Sequence, residues 1–261
     1  TLNQIMDRLT IIKVGGKVVE DPDSLNALLD QFIKFSGNKI LVHGGGNTAT
    51  EIAAKLGIET EMVDGRRITS KSMLDVVTMV YGGLVNKKIV AGLQARGCNA
   101  LGLTGADLNL ISARKRPVQE IDYGFVGDIV DVNSRELRII IGENVVPVVA
   151  PLTHDEKGQI LNTNADTIAA ELASELSNYF SIYLFYCFEK KGVLQNPEDD
   201  STIISELDSE LFQKFQKEGI ISAGMIPKLN NGFRAKRNGV KEVLITNPEN
   251  MANGRGTRLV L

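Results

Sequence analysis

Leu9-Thr10-Ile11-Ile12-Lys13-Val14-Gly15-Gly16 and Lys39-Ile40-Leu41-Val42-His43-Gly44-Gly45-Gly46 are the stretches whose reading decides the fold. Each is an apolar run of strand length closed by glycines. After the first, apolar residues over 24–35 recur at helical spacing; after the second, Asn47 offers an N-cap for a helix running to Leu56. Strand, glycine turn and helix, repeated, make βαβ units with parallel strands. Further strands are expected at 99–103, 145–149, 182–185 and 242–245, and helices at 70–96, 165–176 and 225–238. Between them, residues 108–132 carry short polar and β-branched runs with Gly124 and Gly127, the pattern of a β-hairpin inserted over a site. The expectation is an α/β fold with a mainly parallel central sheet. A substrate lobe at 1–178 and a nucleotide lobe at 179–261 are expected, and since no Pro/Gly/Ser linker separates them, one sheet can run through both.

The chain has 261 residues, 43% of them hydrophobic, enough to bury a substantial core. A net charge of −3 provides no cationic field for nucleic acid or an acidic membrane surface. Cys98 and Cys187 stand far apart, without CxxC spacing or a nearby histidine, so neither a disulfide framework nor a zinc site is indicated. The first nine residues lack a basic and apolar leader, and no uninterrupted apolar run reaches membrane-spanning length. A cytoplasmic protein with reduced thiols is expected.

Glycines after strands let a backbone approach a phosphate, because a side chain would cover the N–H donors. Gly15-Gly16 and Gly44-Gly45-Gly46 both fall at the carboxyl ends of expected strands, where open α/β sheets bind ligands. Neither belongs to a GxxxxGK[ST] loop or a GxGxxG fingerprint. His43-Gly44-Gly45-Gly46 admits a rival reading as an esterase oxyanion hole, but that needs a GxSxG elbow. The nearest stretch, ending Ser222-Ala223-Gly224, has Ile220 where the first glycine should be, and His154 has no evident serine partner.

Lys13, one residue before the double glycine, would bury a cation unless its ammonium meets an anion at the strand end; the bland alternative is an edge-strand lysine that snorkels. Lys228 follows Gly224-Met225-Ile226-Pro227 at a helix start, where the positive helix end disfavours it unless a strong anion shares the site. In Asn162-Thr163-Asn164-Ala165-Asp166-Thr167, helix capping explains one polar residue, not three. An aspartate held between two lysines would offset their repulsion and orient both. Arg67 suits bidentate binding of a carboxylate. Adjacent residues on a strand face opposite ways, so Arg66 is expected to point away from whatever Arg67 binds.

Lys13-Val14-Gly15-Gly16, His43-Gly44-Gly45-Gly46, Gly65-Arg66-Arg67, Asn162-Thr163-Asn164-Ala165-Asp166 and Gly224-Met225-Ile226-Pro227-Lys228, in this order and spacing, resemble the acetylglutamate kinases of the amino-acid kinase family. The likeness covers almost the whole chain. It implies an open αβα sandwich, an ATP and Mg²⁺ site in the carboxy-terminal half, homodimerisation through the amino-terminal half, and phosphorylation of the γ-carboxylate of N-acetyl-L-glutamate in arginine biosynthesis. By the same resemblance Lys13 and Lys228 are the cations on the transferring phosphoryl group and Asp166 fixes both. Gly15 and Gly16 are the phosphate-binding glycines. Gly45, Gly46, Arg67 and Asn162 hold the amino-acid substrate. No residue is assigned as a direct metal ligand, because ATP phosphates and water are the expected ligands of Mg²⁺. Where the family usually shows Thr-Asp-Val, this chain has Cys187-Phe188-Glu189-Lys190-Lys191-Gly192, with Glu189 in place of the aspartate. The long amino-terminal helix of arginine-inhibited relatives is missing from the sequence, so a dimer without arginine feedback is expected. Two alternatives stay open: an N-succinyl-L-glutamate kinase, for which Arg66 and Arg114-Lys115-Arg116 are candidate extra cations, and a non-catalytic amino-acid or nucleotide sensor of the same fold.

Overall fold

The structure is a computed structural model that describes residues 6–63, 66–196, 198–221 and 224–261. Asp64 and Gly65, before the arginine pair, and Ser222 and Ala223, of the rejected esterase elbow, lie outside the described residues, as do the first five residues of the leader reading.

Strand β1 (Arg8–Val14) leads into the short helix α1 (Gly16–Glu20) and then α2 (Pro22–Phe32). The α2 start is fixed by Asp21, whose carboxylate accepts from the Ser24 N–H at 2.7 Å, with Pro22 in the first turn. β2 (Asn38–His43) enters α3 (Gly46–Lys55), capped by Gly45 and not by Asn47, which lies one residue inside the helix. The small strands β3 (Met62–Val63) and β4 (Arg66–Arg67) pair antiparallel. The expected long helix at 70–96 divides into α4 (Lys71–Val77), a π-helical stretch over Thr78–Val85, and α5 (Asn86–Gln94). Gly82-Gly83 sit in the π stretch, where missing side chains loosen the helical ladder. Lys71–Gln94 is long and apolar enough to cross a membrane, but Met73, Leu74, Val77, Val80, Ile89 and Leu93 are buried in the core, which accounts for its apolarity.

β5 (Ala100–Leu103) is followed by the hairpin β6 (Ile111–Lys115) and β7 (Gly127–Val132), then α6 (Ser134–Gly142), β8 (Val146–Val149), β9 (Leu152–His154), β10 (Ile160–Asn162) and α7 (Ala165–Leu176). The remainder is β11 (Ser181–Cys187), β12 (Glu206–Leu207), α8 (Ser209–Lys217), α9 (Ile226–Arg237), β13 (Glu242–Thr246), α10 (Pro248–Met251) and β14 (Thr257–Leu259).

The main sheet runs β12-β14-β13-β11-β1-β2-β8-β5, parallel except where β14 opposes β13. β1 lies between β2 and β11, so the sheet is unbroken across residues 178 and 179. The period-2 alternation of these buried strands feeds two cores. Leu9 and Ile11 of β1 join Ile40 and Val42 of β2 under α6, α7 and α9; Ile12, Val14 and Leu41 face the other way, with α2 to α5. That is the αβα sandwich. The same alternation places Lys13 on the α7 side, opposite Tyr186 of β11 in the strand register. A second sheet, β10-β9-β6-β7, carries the β6–β7 hairpin over the carboxyl ends of β1 and β2.

Candidate active site

Asn164 caps α7, its side chain accepting from the Thr167 N–H at 3.0 Å. With the cap supplied, Asp166 in the first turn is left for another task. Its Oδ1 accepts from Lys13 Nζ at 2.8 Å and from Lys228 Nζ at 3.0 Å. All three side chains are buried. Burial pushes the Asp166 carboxyl up, but the two ammonium charges and their hydrogen bonds outweigh it and hold the group well below the usual carboxylate range. Lys228 is pushed down to about 8, by burial first and by the Lys13 charge, with Asp166 opposing. Two ammonium groups share one carboxylate, so among the described residues the cluster carries an uncompensated positive charge. A buried cation without a partner is costly, and an arriving anion relieves that cost.

Two contacts hold α9 against α7 and so fix Lys228: Asn231 Nδ2 donates to Thr167 Oγ1 at 3.2 Å and Arg234 pairs with Glu171 at 2.7 Å. From the sheet, the Tyr186 hydroxyl of β11 donates to the Asp166 carbonyl at 3.1 Å and ties α7 down. None of Thr167, Asn231, Arg234, Glu171 or Tyr186 stands out in the sequence, since each becomes a support only once α7 is packed against α9 and β11.

Two cavities flank the cluster. One, of about 400 Å³, is bordered by Lys13, Gly44 to Gly46, Arg67 and Asn162; the other, of about 390 Å³, by Gly15, Lys17, Phe188, Glu189, Gly224 and Lys228. Gly16 borders both. The Gly16, Gly45 and Gly46 N–H groups have no acceptor among the described residues, and a Cβ on Gly16 would stand 3.5 Å from the Gly46 nitrogen and 3.6 Å from that of Gly45. Gly15 differs: its N–H already donates to the Cys187 carbonyl at 2.9 Å, so what it offers a ligand is space. Gly45 has φ +147, and a Cβ there would lie 3.2 Å from both Tyr81 and Val85 of the π stretch.

Arg67 is held by the Gly46 carbonyl and Thr50 Oγ1, each at 2.8 Å, and by Thr60 Oγ1 at 3.3 Å, with no carboxylate partner among the described residues. Asn162 donates through Nδ2 to Thr69 Oγ1 at 3.0 Å. The hairpin contributes Arg116, Gly127 and Asp128 to the same wall, Arg116 Nη2 donating to Asp128 at 2.6 Å. Arg66 was expected to face away from this cavity and does not. It is exposed and Arg67 is buried, the alternation a strand imposes, yet both border the cavity, since a long side chain on a two-residue strand reaches its rim.

His43 is fully buried: its Nδ1–H donates to the Gly44 carbonyl at 2.8 Å and Nε2 accepts from Asn86 at 3.1 Å. Burial pushes it down to about 4, so it is neutral at pH 7, and both ring nitrogens are engaged by Gly44 and Asn86. Cys187 is buried too, its thiol pushed up to about 12 by burial. Glu189 pairs with Lys17 at 2.9 Å on the open side of the second cavity.

Two anion-attracting cavities joined at a buried pair of lysines are what a phosphotransferase requires, one for each reactant. The chain matches the amino acid kinase family over residues 8–247 and belongs to it. It is 57% identical over 254 residues to the acetylglutamate kinase of Parabacteroides distasonis, covering 97% of this chain and 100% of that one. To the acetylglutamate kinase of Bacteroides fragilis it is 58% identical over 256 residues, 98% of each chain. Among solved structures, the smu.665 protein of Streptococcus mutans superposes with a TM-score of 0.80 at 26% identity, over 97% of this chain and 98% of that one. The protein is thus a kinase of this family.

Proposed function

We propose that the protein transfers the γ-phosphoryl group of ATP to the γ-carboxylate of an N-acyl-L-glutamate, N-acetyl-L-glutamate being the substrate its relatives are named for, as a step of arginine biosynthesis in the cytoplasm. The observation that carries this reading is the Lys13–Asp166–Lys228 cluster at the junction of the two cavities. The first cavity takes the amino acid: Arg67 binds its α-carboxylate, and Asn162 with the Gly45 and Gly46 N–H groups orients the rest. The second takes the nucleotide, with Gly15 leaving room and the Gly16 N–H turned to the phosphates.

The acceptor carboxylate has a free pKa of about 4.3 and is ionised at neutral pH, so no general base is needed. One of its oxygens bonds to the γ-phosphorus while the bond from phosphorus to the bridging oxygen breaks. ADP leaves with the electron pair and no proton changes hands. The barrier is the approach of one anion to another, and Lys13 and Lys228 lower it by standing where negative charge accumulates. Asp166 positions both and is not a base. Mg²⁺ on the ATP phosphates would add further charge neutralisation; with phosphate and water as ligands it calls for no cluster of protein carboxylates. A homodimer through the amino-terminal half belongs to the same reading, supported by Met79, Leu84 and Leu101, which stand exposed on the π stretch and on edge strand β5. A coupled assay of ADP release with ATP, Mg²⁺ and N-acetyl-L-glutamate tests the reading. Turnover supports it; ligand binding without turnover of any N-acylglutamate would identify a sensor instead.

A further inference from the structure

Helix α3 begins beside the amino-acid cavity without a cap of its own. Its N-cap is Gly45, where φ of +147 and the closeness of Tyr81 and Val85 disfavour any side chain that could accept from the first turn. The acceptor comes from another element. Glu20, the last residue of α1, reaches across so that its Oε1 accepts from the Thr48 N–H at 3.0 Å and its Oε2 from Asn47 Nδ2 at 2.8 Å. The same carboxylate lies against the first glycine turn, since a Cβ on Gly16 would stand 3.4 Å from Glu20 Oε1. From the opposite strand pair, Arg67 Nη2 donates to the Gly46 carbonyl at 2.8 Å. Helix α1 therefore starts at Gly16, which borders both cavities, and ends at the residue that caps the turn of the amino-acid cavity. Among the described residues no backbone hydrogen bond joins Gly16 to Gly45 or Gly46, so Glu20 supplies a tie that the two turns do not make themselves.

We propose that Glu20 is a positioning residue for phosphoryl transfer: by tying α1 to the start of α3, it holds the free N–H groups of Gly16, Gly45 and Gly46 in one array around the transferring group. The proposal rests on the kinase reading above and adds to it a residue that borders neither cavity. Backbone donors lower a barrier only when they are aimed, before reaction, at the place where charge develops. A turn displaced by about 1 Å is enough to cost roughly 10²-fold in rate. Glu20 satisfies the Thr48 N–H, which lies in the third position of α3, and leaves the Gly45 and Gly46 N–H groups for a ligand. A side chain that served only as a helix cap would act on stability and leave the rate alone.

The test compares Glu20→Ala, Glu20→Gln and Glu20→Asp with the unaltered chain in ADP release from ATP, Mg²⁺ and N-acetyl-L-glutamate, well below the melting temperatures, which are measured in parallel. Glu20→Ala should lower kcat at least about tenfold while both KM values stay within about threefold. Glu20→Gln is neutral but keeps an oxygen at full reach for the Thr48 N–H, and should hold kcat within about threefold of the unaltered chain. Glu20→Asp keeps the charge and is one methylene too short to span both contacts, so it should fall with Glu20→Ala. That pattern separates geometry from charge, and because Glu20→Gln and Glu20→Asp each retain an acceptor, the comparison stands even if Glu20→Ala does not fold. A lowered Tm with unchanged kcat in Glu20→Ala and Glu20→Asp overturns the proposal and leaves a plain helix cap. Glu20→Gln as slow as Glu20→Asp, or Glu20→Asp as fast as the unaltered chain, overturns it too. If the unaltered chain turns over no N-acylglutamate, the kinase reading goes, and this inference with it.

Discussion

Asp166 accepts from two ammonium groups through one oxygen, and the consequences of altering that oxygen differ from those of altering either lysine. Asp166→Asn keeps the volume and one acceptor but leaves two buried ammonium groups facing each other uncompensated, so turnover should collapse while circular dichroism still reports a folded chain. A merely structural Asp166, worth about 0.3 to 1 kcal/mol in the first turn of α7, would instead give normal turnover and a slightly lower Tm. Lys228→Ala removes one preorganised charge and should lower kcat by roughly 10²-fold, with a smaller change in the KM of the amino acid. Arg67→Ala should weaken acylglutamate binding by about 1.5 to 3 kcal/mol, read as a raised KM. Lys228 also sets a pH signature. Its value near 8 means that kcat/KM for ATP falls as pH rises through about 8 and the ammonium is lost. Stability moves the opposite way. Between about 8 and the ordinary lysine value of about 10.4 the unfolded chain holds more protons than the folded one, so this group makes unfolding free energy rise with pH. A kcat/KM for ATP that is flat from pH 7 to 9.5 would contradict the depressed lysine.

At the scale of elements, the glycine turns show how local geometry is enforced by packing. Gly45 combines φ +147 with a Cβ position 3.2 Å from Tyr81 and Val85, whereas a Cβ on Gly83 would meet nothing within 4 Å. Gly45→Ala should therefore destabilise by about 1 to 3 kcal/mol, several degrees in Tm, and disturb the substrate turn. Gly83→Ala should be neutral or raise Tm slightly, since glycine is the poorer residue within a helix. Equal effects of the two in thermal melts would count against this account. The contrast also explains what the sequence discloses. The strands at Ile11, Ile40, Val148, Leu184 and Leu244 are buried on both faces and read as apolar runs, and the helices over them carry clear helical periodicity. The helices α6 (Ser134–Gly142) and α8 (Ser209–Lys217) and the small strands β12 and β14 lie outside the sequence expectations: each helix has nine residues, shorter than the window over which helical periodicity is read, and strands of two or three residues have no period to detect. The π stretch was invisible because its pattern is apolar all round. Of the candidate site, Lys13, Asp166 and Lys228 were legible because charges in apolar or helix-start settings demand partners. Asp128, Glu171 and Arg234 are not, because only the folded hairpin and the α7–α9 contact bring them to the cavity wall, and Arg116 is legible only as one of three basic hairpin residues.

For the whole molecule, the central position of β1 decides how the two lobes depend on each other. β1 pairs with β2 along one edge and with β11 along the other, and α7 packs against β1, β2 and β11 together. The carboxy-terminal strands β12-β14-β13-β11 form one end of the main sheet, and without β1 the β11 edge would lie open; loss of either lobe would uncover apolar faces of Leu9, Ile11, Ile182 and Leu184 that are fully buried. The cluster adds a second tie, because Lys13 comes from β1 and Lys228 from α9. Lobes at 1–178 and 179–261 are therefore proposed to unfold as one cooperative unit, and calorimetry should show one transition whose calorimetric and van't Hoff enthalpies agree. Ligands of either cavity should then raise the same Tm: at about a hundred times Kd each contributes about 2.7 kcal/mol to the folded state, which in a chain of this size is several degrees. Two resolved transitions, one moved only by ATP with Mg²⁺ and the other only by an N-acylglutamate, would show that the lobes are independent and that the shared sheet does not couple them.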